Sequence, residues 1–180
     1  MKKFFATVGF FFLVVCANAQ IKSATLQASG LTCSMCSKAV LNALQKLPFV
    51  SAVNVDLQKQ EYELSFKPEK EFEFDDLSKA VEDAGFSVAQ LQVMTEIAST
   101  PIGKDQHINI GGYTFHFLNS EGKELNGPVN LTLIDKNFTS AKTHKKYASK
   151  SKMSCVATGK MEKCCSNNEV RPERIYHVII

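Results

Sequence analysis

The chain lacks tryptophan entirely, and beyond its first nineteen residues no apolar run approaches the ~20 residues a helix needs to cross a bilayer. The second absence excludes a helical membrane span from that part of the chain. A strong excess of one charge is missing too, since 21 lysines and arginines face 18 acidic residues. No nucleic-acid-binding surface covering the whole molecule is therefore implied. No glycine-rich phosphate loop and no paired nucleophile and base can be picked out, so a catalytic role has no support. Proline is sparse, at five residues. What stands out instead is cysteine: there are six, unevenly spread.

Residues 1–19 read as an export signal. Lys2 and Lys3 give the positive start, Phe4 to Val15 the apolar run, and Ala17-Asn18-Ala19 the small residues of a cleavage position, so the mature chain is expected to begin at Gln20. A membrane anchor is the rival reading, but the apolar run is short for one. A second rival makes Cys16 a lipid attachment site, because Leu13-Val14-Val15-Cys16 resembles a lipobox, although Val15 stands where a small residue belongs. Cleavage after Ala19 removes two lysines and leaves nineteen basic against eighteen acidic residues. It also leaves five cysteines: Cys33, Cys36, Cys155, Cys164 and Cys165. In the oxidising periplasm or cell envelope these cannot all pair within one chain, which calls for a reactive thiol, a link to another chain, or metal ligation.

Residues 20–95 carry clear periodicities. Thr25 to Ala28 is a short strand candidate, Gly30 a turn, and from Ser37 the positions Val40, Leu44 and Leu47 fall on one helical face that ends before Pro48. Val53, Val55 and Leu57, then Tyr62, Leu64 and Phe66, alternate with polar residues and predict two half-buried strands joined near Lys59-Gln60. A second helix takes Asp75 or Asp76 as its cap, buries Leu77, Ala80, Val81 and Ala84, and stops at Gly85. Phe86 to Val93 supplies a closing strand. The order strand, helix, strand, strand, helix, strand predicts an α+β, ferredoxin-like βαββαβ unit with both helices on one face. Residues 96–106, with Ser99, Thr100, Pro101 and Gly103, read as a linker. Residues 107–180 are strand-like, in runs at 108–118, 129–134 and 175–180 with Tyr147 and Val156 on further strands. No helical period appears there, and a small all-β domain, an OB-like barrel or sandwich, is the expected closure.

The chemistry centres on Gly30-Leu31-Thr32-Cys33-Ser34-Met35-Cys36, between the first strand and the first helix. A helix start concentrates unpaired N–H groups and partial positive charge, which favours thiolate, the metal-binding form. A two-residue spacer lets both sulfurs turn to one side and grip one ion. Thiolates select soft ions, and two ligands leave the ion open to a partner's sulfur. Cys33 and Cys36 are the candidate metal ligands, with Cu(I) as the ion and Zn(II) or Hg(II) as alternatives. Met35, between them, is not counted as a ligand. A disulfide or a thiol-disulfide oxidoreductase pair is the competing reading, although no tryptophan or proline adjoins the motif.

This stretch, with the elements after it and Ala84-Gly85-Phe86, resembles the heavy-metal-associated domain of copper chaperones, copper-ATPase amino-terminal modules and periplasmic mercury-binding proteins. The family's Gly-Met-Thr-Cys-x-x-Cys pattern is met at Gly30, Thr32, Cys33 and Cys36 and departs at Leu31, a side chain of volume similar to methionine. The resemblance implies metal capture and transfer to a metal-transporting or metal-accepting protein, with Phe86 as an apolar cover over the metal loop.

The second half holds another sulfur-rich run. Met153, Cys155, Met161, Cys164 and Cys165 could form a second soft site, or Cys155 could bridge to Cys164 or Cys165 as a disulfide. His107, His116, His144 and His177 are scattered and read individually as ordinary residues. The lysines at 136, 142, 145, 146, 150 and 152 read as a solvated hairpin.

Overall fold

The computed structural model describes residues 21–68, 70–161 and 174–180. The export signal and the cysteines Cys16, Cys164 and Cys165 lie outside these residues. The amino-terminal half follows the expected order: β1 (Ile21–Ser29), α1 (Ser34–Gln45), β2 (Val50–Asp56), β3 (Glu61–Phe66), α2 (Phe74–Asp83) and β4 (Ser87–Pro101). Alternation builds the strands, since Ala24, Leu26 and Ala28 of β1 and Tyr62 and Leu64 of β3 are buried while their neighbours face outward. On α1 the buried positions are Ser37, Val40 and Leu44, and α1 and α2 contact each other on one face of the sheet.

Several boundaries shift. α1 begins at Ser34 rather than Ser37, and α2 begins at Phe74 with Glu73 as its N-cap, because Asp76 occupies the third helical position and accepts from the Glu73 N–H at 3.3 Å. Leu57, expected inside a strand, follows the end of β2 and is 62% exposed.

The carboxy-terminal half adds β5 (His107–Ile110), β6 (Tyr113–Phe117), β7 (Glu124–Leu133), α3 (Ala141–Ala148), α4 (Cys155–Thr158) and β8 (Ile175–Ile179). These strands do not form an OB-like barrel. The eight strands among the described residues make one open sheet in the order β2-β3-β1-β4-β7-β8-β6-β5, antiparallel except for the β6–β8 pair. The cause is β4, fifteen residues long. Its first part pairs with β1, and from Leu91 to Pro101 its other edge pairs with β7. Residues 96–101, expected in a linker, are the end of this strand, and Ile102 beyond it is buried and donates its N–H to the Lys123 carbonyl at 2.8 Å.

Nor is the second half all β. The lysine run read as a hairpin forms α3, started by the Ser140 hydroxyl accepting from the Thr143 N–H at 3.2 Å. The helix buries none of its residues, so no apolar period announced it. Tyr147 lies in α3 and Val156 in α4, not on strands.

One core runs through both halves, from Leu26, Leu44 and Leu77 to Phe115, Leu131 and Val178. Rings mark the seam: Phe72, stacked on Phe49 at 4.4 Å between centroids, faces Tyr113 at 5.7 Å, and Phe74 meets Tyr176 edge-on at 5.0 Å. Tyr176 accepts the Phe74 N–H at 3.1 Å, and its hydroxyl donates to Glu73. Beside it Arg174 grips Asp75 through two nitrogens, at 2.9 and 3.3 Å, and lies over the Tyr176 ring. Burial alone would raise the Asp75 carboxyl, but the hydrogen bond and charge of Arg174 outweigh it and hold the group below the usual carboxylate range.

A depressed carboxyl stabilises the fold above its unfolded value and ceases to as pH falls through its folded one. Urea unfolding of R174Q is expected to show a loss of about 1–2 kcal/mol at pH 7, between the values for exposed and buried pairs. The stability of the parent should drop more steeply than that of R174Q as pH falls below about 4.

Candidate metal centre

β1 hands the chain to α1 through a loop that only a few conformations allow. Gly30 has φ of +87°, where a side chain is strained, and a Cβ there would stand 3.8 Å from the Phe86 ring. Leu31 is buried and fixes the loop to the core. Two polar side chains from β3 and the turn before it hold the backbone: Gln60 donates to the Leu31 carbonyl at 3.2 Å, and the fully buried Tyr62 hydroxyl donates to the Ser37 carbonyl at 3.1 Å. Sequence periodicity marked Tyr62 only as an apolar strand position; where its hydroxyl goes depends on how β3 is placed against α1, which no local pattern encodes.

Cys33 is the N-cap of α1, in extended backbone, and its sulfur accepts the Cys36 N–H at 3.3 Å. Sulfur thus occupies the seat that serine or aspartate oxygen usually takes. Cys36 sits in the first turn, and the two sulfurs converge to 2.8 Å. Neither is in a disulfide; Cys33 is exposed and Cys36 half-buried. Hydrogen bonding from Cys33, then from the Thr32 backbone, holds the Cys36 thiol below the ordinary cysteine range, against partial burial and with the Thr32 hydroxyl 3.9 Å away adding to the lowering. Met35 is 70% exposed. Phe86 follows Gly85 at the end of α2 and packs, half-buried, in the core cluster that also contains Cys36. Such an arrangement can offer two sulfurs to one soft cation while leaving a side of the ion open to solvent.

The sulfur-rich run of the second half is only partly brought together. Cys155 is buried in α4 in a small apolar cluster with Val156 and Ile175, against which Met153 and Met161 pack. Cys164 and Cys165 lie outside the described residues, and with them any bridge to Cys155. Among the histidines, His116 and His177 are buried on β6 and β8, within the runs read as strands.

The sequence profile of the heavy-metal-associated domain matches residues 25–87, which include Cys33 and Cys36. A mercuric transport protein periplasmic component from Serratia marcescens is 37% identical over 86 residues, covering 48% of this chain and 93% of that protein. The copper chaperone CopZ of Bacillus subtilis (strain 168) is 39% identical over 66 residues, 37% of this chain and 94% of its own. Among solved structures, oxidized MerP from Ralstonia metallidurans CH34 is 35% identical, with a TM-score of 0.34, over 39% of this chain and 96% of that one.

Because Cys33 is the largest contributor to the low Cys36 titration, removing it should be visible chemically. Iodoacetamide labelling read peptide by peptide is expected to place the Cys36 midpoint below that of an ordinary free cysteine, and C33S should move it upward.

Proposed function

The chain belongs to the heavy-metal-associated domain family through its residues 25–87, and from that premise we propose that it captures Cu(I) at Cys33 and Cys36 and passes it to the thiols of a metal-transporting or metal-accepting protein. The observation that carries this reading is the convergence of two sulfurs at the start of α1, one of them exposed, with no disulfide between them. Zn(II) and Hg(II) share the preference for thiolate, and a relative named for mercuric transport and another named a copper chaperone both support a soft cargo. Both relatives are named for transport or chaperoning, which supports a carrier over an enzyme, and the oxidoreductase alternative gains no support from them.

Export agrees with the composition of residues 1–19 and with the periplasmic name of the Serratia marcescens relative. A cleaved chain beginning at Gln20 would meet its cargo outside the cytoplasm.

Transfer follows from the exposure of Cys33. A partner thiolate approaches the ion from the open side and forms a third sulfur bond. The bond to Cys33 then breaks, and Cys36 leaves last; no electrons change hands and the ion keeps its charge throughout. Phe86, whose ring lies 3.8 Å from where a Cβ on Gly30 would stand, is the apolar cover of the loop in this reading. Because the ligating form is thiolate, uptake weakens as pH falls through the cysteine titrations.

Cu(I) titration of the reduced full chain against a chelating competitor tests the assignment. One tightly held equivalent should disappear in C33S/C36S, whereas unchanged stoichiometry in that variant overturns it.

A further inference from the structure

The hairpin of β5 and β6 turns at Gly111-Gly112, and His107 and His116 stand at equal distances from that turn, so they pair directly across the two strands. β8 then runs parallel to β6 with His177 opposite His116. Three histidines therefore form a row across adjacent strands. The His107 and His116 rings stack at 4.4 Å between centroids, and His177 meets His116 edge-on at 5.1 Å. α4 delivers the buried Cys155 onto this row, its sulfur 3.7 Å from His107 Nε2 and 3.6 Å from His116 Nδ1.

We propose that His107, His116 and Cys155 are a second metal site, for a soft or borderline transition-metal ion such as Cu(I) or Zn(II). The three donor atoms lie within 4.8 Å of one another. A sulfur bound at ~2.3 Å and an imidazole nitrogen at ~2.0–2.1 Å of one ion, at angles of about 110–120°, stand roughly 3.6–3.8 Å apart, which matches both sulfur–nitrogen separations. Thiolate and imidazole together select Cu or Zn over Mg or Ca.

The surroundings fit ligands rather than ordinary core residues. Asp105 Oδ1 stands 3.4 Å from His116 Nε2, the ring nitrogen that faces away from the sulfur, although it is not aligned for a good hydrogen bond. A carboxylate behind a histidine is the usual support of a metal-binding ring. Asp135 likewise holds His177, through Nδ1 at 2.7 Å and the backbone N–H at 2.9 Å, and leaves His177 Nε2 buried without a hydrogen-bond partner among the described residues. Burial is the first cause that lowers both His107 and His116. Met153 and Met161 pack on the same cluster and keep its sulfur side apolar.

The test is made on the reduced full chain carrying C33S, C36S, C164S and C165S, titrated with Co(II) as an optical probe and then with Zn(II) in competition. One equivalent of Co(II) with a sulfur-to-metal charge-transfer band is expected, displaced by Zn(II). C155S should abolish the band. H107Q, at a half-buried position, should weaken binding about tenfold or more with its circular dichroism unchanged, which separates lost ligation from lost folding. Absence of the band in the parent, or undiminished binding in a folded H107Q, overturns the site. Since Cys33 and Cys36 are removed throughout, either result leaves the transfer site at α1 untouched.

Discussion

β4 is hydrogen-bonded along both edges, to β1 on one side and to β7 on the other, and the remainder of the molecule is arranged around that fact. A ferredoxin-like unit standing alone would leave that second edge exposed, an invitation to pairing with other chains. Here the chain covers it with its own later strands. The same ladder that positions the metal loop, through β1 and its turn at Gly30, therefore also positions β7, β8 and the histidine row of β5, β6 and β8. The aromatic seam from Phe49 through Phe74 to Tyr176 and the Arg174–Asp75 pair reinforce this join with side chains.

At the loop itself the governing constraint is backbone geometry. Gly30 permits a turn that side chains resist, Leu31 pins it, and the following residue pair lets Cys33 cap the helix with sulfur. The cap N–H groups then stabilise charge on the sulfurs, and exposure of Cys33 leaves room for exchange. Gln60 and Tyr62 keep the loop fixed from below. A rigid support beneath an exposed ligand pair suits a carrier, since the ion can leave without the fold changing.

The amino-terminal half was legible because its signals are local. Alternation gave β2 and β3, the spacings of four and three through Val40, Leu44 and Leu47 gave α1, and the cysteine spacing with Gly30 gave the loop. The second half was misread where structure depends on partners distant in sequence. Nothing in Val129 to Ile134 says that its neighbour is β4 rather than another late strand, so an open sheet looked like a closed barrel. α3 is polar all round and buries nothing, which hides it from periodicity. The pairing of His107 with His116 was readable in principle, from equal spacing about Gly111-Gly112, but its meaning appears only when α4 brings Cys155 against it.

Everything said of function rests on sulfur holding the ion at the start of α1. Copper K-edge X-ray absorption on the full chain, with C155S, C164S and C165S removing the thiols of the second half and one equivalent of Cu(I) added, tests that most directly. A first shell containing at least two sulfurs and no nitrogen is the predicted spectrum; a shell of nitrogen or oxygen alone would contradict the account.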